Sequence, residues 1–178
     1  MLSDGSRVRA DLVDSLDQTW DQLSARLQGL TDAEYVWEPA VGCWNVHASL
    51  DGAPRVDWID PAPDPAPLTT IAWRLWHIAV DCLDSYSERR FGRRGTGLTG
   101  TSWTLEVVEA KALLDQAWHV FRDPFTTMSL EDLMVPLGEA WGRYARHSTL
   151  ALALHANREV THHAAEVALL RDLYRVTG

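Results

Sequence analysis

The chain has 178 residues, enough for one domain with a full hydrophobic core. Its net charge of −9 excludes nucleic acid as a default partner, because phosphate binding needs a basic surface. No apolar run approaches the ~20 residues of a membrane span, and the N-terminal stretch lacks the apolar core of a signal peptide, so a cytoplasmic protein is expected. Cys43 and Cys82 are too few and too far apart for a disulfide framework or a thiolate zinc site, and are read as structural. Nine tryptophans point to a well-filled core or a ring-lined pocket.

From Val8 to Leu30 the residues Leu12, Leu16, Trp20, Leu23 and Leu27 recur every three or four positions, which predicts an amphipathic helix. Gly29 helps to end it, and Thr31 to Glu34 carries a capping signal for a short further turn. Tyr35 to Pro67 is proline-rich and without period. It reads as a long loop, and such loops in compact domains tend to be functional or to cover something. Leu68 to Phe91 is the second long helix, opened by Pro67 and followed by Gly92, with Ile71, Leu75, Ile78 and Cys82 as its main stripe. The arginines 89, 90, 93 and 94 at its end read as solvated surface.

A Gly/Thr linker over Thr96 to Ser102 leads to a third helix, Leu105 to Phe121, closed by Pro124. Ser129 to Leu133 starts a short turn, and Leu150 to Val176 forms the last long helix. No alternating strand and no repeat is visible. Residues 1–178 are therefore expected to form a single all-α four-helix bundle with a long crossover between helices one and two.

The last helix carries the chemistry. Leu152, Ala156, Val160, Val167, Leu170 and Leu173 share its apolar face. With His155 at zero on the helical wheel, Glu159 falls at about 40° and His163 at about 80°, inside that stripe. Burying an unpaired polar group costs roughly 2–7 kcal/mol, so something must satisfy this acid and this imidazole. Residues at i and i+4 suit two ligands on one metal. A structural hydrogen-bond network meets the same need, and spacing alone does not separate the two. His162, nearer the rim, and His155, one turn earlier, are alternates.

A metal needs a ligand from another helix, and His77 in TTIAWRLWHIAVDCLDSY is the leading candidate. It lies off the main apolar stripe, on the arc of Arg74 and Asp81. The helix is apolar nearly all round, so that arc need not face water. Asp81, four residues on, is placed to accept the second ring N–H of His77, as carboxylates beside ligating histidines usually do.

WRLWHIAV and LHANREVTHHAAEVALLRDLY, together with WEPAVGCWNVH and SLEDLMVPLGEAWGRYA, resemble the DinB-like superfamily of small bacterial four-helix bundles, most closely its actinobacterial branch. The resemblance implies a divalent metal, zinc or nickel above all, held by one histidine of helix two and an H-x-x-x-H pair on the last helix. His77 and His163 match that pattern. Glu159 stands where the first histidine of the pair is commoner, a harder ligand that also admits manganese or iron. The resemblance turns the balance toward a His77/Glu159/His163 metal site.

It further implies an enzyme such as a low-molecular-weight-thiol (mycothiol-type) S-transferase. Metal-dependent hydrolysis is the alternative, and a non-catalytic bundle that binds a small molecule or dimerises is a reading of another class. Catalytic residues beyond a metal-activated thiol or water are not assigned. Arg74 and Trp73 are the expected lining of a pocket beside the metal. The expected partner is a small-molecule substrate, with a homodimer compatible.

Overall fold

A computed structural model describes residues 4–177. Helix α1, Asp4–Arg26, buries Leu12, Leu16 and Leu23 at the spacing that its sequence predicts, with Thr19 also buried and the expected Trp20 only half-buried beside it. The short α2, Asp32–Tyr35, starts where the Thr31 hydroxyl accepts the Glu34 N–H at 3.2 Å.

The second long helix is a continuous rod of three segments. These are α3 (Ile71–Trp76), a π-helical stretch (His77–Asp84) and α4 (Ser85–Phe91). It begins three residues later than Leu68 because Thr70 takes the cap position. The Thr70 hydroxyl accepts the Trp73 N–H at 3.3 Å and donates to Asn45 Oδ1 at 2.8 Å. Gly92, at φ 72°, supplies the left-handed residue that ends the rod.

Helix α5 (Val107–Arg122) follows, then a 3₁₀ turn (Asp123–Thr126), α6 (Leu130–Met134), a second 3₁₀ turn (Glu139–Tyr144) and α7 (Thr149–Thr177). Ser129 and Asp132 form a reciprocal capping box on α6.

The fold is an all-α bundle, as expected: α7 packs on α1, α3 and the π stretch, and α5 packs on the other side of the same rod. Leu16, Leu23, Leu75, Ile78, Trp118 and Phe121 fill the centre, each essentially without exposure. Among the described residues no helix is long and apolar enough to cross a membrane.

Four sequence expectations need correction. The crossover is not devoid of strands: β1 (Val46–Ala48) and β2 (Pro54–Val56) pair antiparallel, with Val46 opposite Val56. Only those two valines turn fully inward. Three-residue strands are too short for an alternation to show. The buried stripe of α7 also departs from the wheel beyond Val167. Leu170 is half-buried and Leu173 exposed, while Arg171 is buried. There α7 faces α2 rather than the bundle centre, and Glu34 on α2 binds the Arg171 guanidinium at 2.7 and 3.1 Å.

The third correction is that the α4 arginines are partly structural. Arg90 donates to Thr149 Oγ1 at 2.9 Å, Arg94 pairs with Glu88 at 2.5 Å, and the Arg89 guanidinium lies 4.4 Å over the Trp141 ring. The end of α4 abuts the start of α7 and the second 3₁₀ turn, which brings acceptors and rings within reach. The fourth correction concerns Cys82, which the straight-helix wheel separates from His77. The π stretch closes hydrogen bonds at i→i+5, so residues five apart share a face there. The Cys82 Sγ accordingly lies 3.6 Å from His77 Nε2.

Candidate metal centre

His77 is the first residue of the π stretch, and its side chain is 17 % exposed. Trp73, one turn earlier, stacks on it with ring centroids 5.1 Å apart. The crossover holds that tryptophan: the Trp73 indole donates to the Asp57 carbonyl at 2.9 Å, and Trp58 packs on both Trp73 and Trp76. The long loop thus builds the aromatic wall behind His77. Trp73 is buried in that wall.

From α7, His163 meets His77 edge to face, with centroids 4.6 Å apart. Glu159, one turn before His163, brings its Oε2 to 3.6 Å from His163 Nε2. Ligating atoms of His77, Glu159 and His163 all lie within 4.8 Å of one another. The structure therefore gathers the three residues that the sequence singles out, from two helices far apart in the chain.

The proton on His163 is placed by its neighbours. Its Nδ1 lies 2.7 Å from Glu166 Oε2 and 3.2 Å from Arg74 Nη1, contacts that demand opposite protonation. The shorter, carboxylate contact prevails, since Arg74 Nε itself lies 3.0 Å from the same Glu166 oxygen. Nδ1 therefore carries the hydrogen, and Nε2 is left with its lone pair. That Nε2 is buried and has no hydrogen-bond partner. Burial is the main cause holding the His163 pKa below its ordinary value; Glu166 opposes it, and His77 and Arg74 add to it. The ring is thus neutral at pH 7, the form that ligates metals. Burial pushes Glu166 upward, but the His163 hydrogen bond and the Arg74 charge outweigh it, so Glu166 is ionised.

Beside His77, Asp81 Oδ2 sits 3.0 Å from Nδ1, although the contact is not aligned as a hydrogen bond. The carboxylate expected to orient His77 is therefore in place but tilted. His77, Asp81 and Cys82 form a second donor group that shares His77. The Cys82 thiol is pushed up, first by burial and then by the Asp81 charge, and stays protonated at neutral pH.

The two alternates fall outside the cluster. His162 is exposed and stacks on His163 from the solvent side. His155 turns to the Tyr86 hydroxyl at 3.0 Å and to Arg158 at 2.6 Å. Arg74 pairs with Glu166, its side chain 18 % exposed. Sequence reasoning missed Glu166, although its i+3 spacing from His163 is the signal that could have found it.

These features define the class, an all-α bundle with a His/Glu/His cluster between its second and fourth long helices. The family model of the DinB superfamily matches residues 15–167, from within α1 to the turn after His163, and the chain belongs to that superfamily. No curated protein and no solved structure gives a significant match.

Proposed function

We propose that the chain holds a divalent metal through His77, Glu159 and His163 and is an enzyme that depends on it, with transfer to or from a low-molecular-weight thiol as the reaction class. The observation that carries this reading is the lone pair on His163 Nε2. It is buried, left without a partner, and turned toward a carboxylate and a second imidazole. Leaving such an atom unsatisfied is costly, and a cation removes the cost. Two imidazoles and a carboxylate suit zinc or nickel, with manganese or iron also admitted. When bound, such an ion supplies a Lewis acid that lowers the pKa of a thiol or water at an open position.

The chain's own residues supply the rest. Glu166 keeps the proton on His163 Nδ1, so that Nε2 stays free to ligate. Trp73 shields one face of His77 from water. Arg74 fixes Glu166 in turn. Hydrolysis would use the same residues, and a direct assay with thiol and with water as acceptors separates the two.

The test is elemental analysis of protein purified without chelator. A stoichiometric divalent metal is expected in the parent, and its loss in His163→Ala and in His77→Ala. A parent that takes up no zinc or nickel on titration sinks the reading, and so does a His163→Ala variant that retains its metal.

A further inference from the structure

A cavity of about 400 Å³ lies between α4, the second 3₁₀ turn and the first half of α7. Its size falls in the range of small-molecule sites, roughly 300–1,000 Å³. Its lining inverts the charge of the molecule. The chain carries 25 acidic against 16 basic residues, yet the cavity wall contains Arg89 and Arg158 beside His147 and His155 and no carboxylate, the Glu159 carboxylate lying behind the wall at 3.9 Å from Arg158. The remaining wall is largely apolar, with the rings of Trp141 and Tyr144 from the second 3₁₀ turn and the aliphatic side chains of Ala151, Leu152 and Leu154 from α7.

The cationic groups are held in place. The Arg89 guanidinium sits over Trp141 and gives one N–H to the Ala140 carbonyl at 2.6 Å, out of the five that an arginine carries. Arg158 donates to His155 Nδ1 at 2.6 Å, which leaves the hydrogen of that ring on Nε2, facing the Tyr86 oxygen at 3.0 Å. On the other side of the ring, His155 Nδ1 lies 3.7 Å from Glu159 Oε1, a member of the cluster. One wall of the cavity is thus joined to the His/Glu/His cluster by a chain of contacts.

We infer that this cavity binds a small organic anion with a flat apolar body, its ring between Trp141 and the α7 aliphatics and its anionic group at Arg89 and Arg158. The cavity's service as the substrate chamber of the metal centre rests on the function proposed above; the binding itself does not.

The test titrates the metal-replete protein with naphthoate and with its neutral counterpart naphthylmethanol, by calorimetry, while NMR follows the Trp141 indole N–H. Naphthoate is expected to bind tighter by about tenfold or more, equivalent to about 1.4 kcal/mol. Both ligands are expected to move the Trp141 signal. Arg89→Gln combined with Arg158→Gln should remove the preference and leave the affinity for the alcohol unchanged. Ala151→Trp, which fills the cavity, should abolish both.

Equal affinity for acid and alcohol overturns the inference, as does naphthoate binding untouched by the arginine changes, or a static Trp141 signal. Circular dichroism checks that each variant is folded. Metal content, measured on the same samples, keeps the two claims apart. Stoichiometric metal without anion preference removes only the cavity claim, and anion preference in protein that takes up no metal removes only the metal claim.

Discussion

Glu166 acts on its neighbour through a single proton. Removing the carboxylate frees His163 to flip its tautomer and leaves Arg74 without its partner. Glu166→Ala is therefore expected to weaken metal binding roughly 10–100-fold, the usual effect of deleting an orienting group behind a ligating histidine. Competition against a chromophoric chelator measures it, and an unchanged affinity would show that Nδ1 needs no anchor. The two thiols give a second prediction at this scale. Cys43 and Cys82 are both buried, and burial holds the Cys82 thiol protonated well above the usual range. Neither should be alkylated by iodoacetamide in the native state at neutral pH, and both should react once the chain is denatured, as mass spectrometry would show.

At the scale of elements, α7 is tied to α2 by an ion pair that water barely reaches. Glu34 and Arg171 keep only 6 % side-chain exposure each, and the guanidinium also binds the carbonyls of Arg26 and Gln28. Arg171→Met strands a buried carboxylate and is expected to cost about 3–5 kcal/mol, read from denaturant unfolding. Adding Glu34→Gln should restore part of that loss. Little of this was legible beforehand. The long helices showed themselves because 3.6-residue periodicity runs through Leu12 to Leu27 and Leu152 to Val167. His163 and Glu159 showed themselves because ionisable groups stood in an apolar stripe. The neighbourhood of Cys82 and His77 did not, since any wheel drawn at α pitch misplaces residues inside a π stretch. Arg171 was hidden for another reason: its partner comes from a four-residue helix whose packing no periodicity reveals.

For the whole molecule, a cation shared by α7 and the central rod would fasten two of the four long helices. Ligand present at a hundred times its dissociation constant adds about 2.7 kcal/mol to the folded state. For a chain of this size that raises the melting temperature by roughly 5–10 °C. Thermal unfolding with and without zinc should show this rise in the parent and none in His163→Ala, and equal shifts in both would place the ion elsewhere.

The rod itself carries a geometric bias. Its first half aims His77 at the cluster, and its last half aims Tyr86 and Arg89 at the cavity. The i→i+5 stretch between them works like the offset between two cams on one shaft. Rewinding that stretch to α pitch with every residue kept would swing Tyr86 and Arg89 about 100° around the axis, out of step with His77, whereas excising one residue as well, such as Ala79, would return them near their present bearing. The two sites are synchronised by the winding of one helix, so the number of residues between them and the pitch of the stretch have to change together.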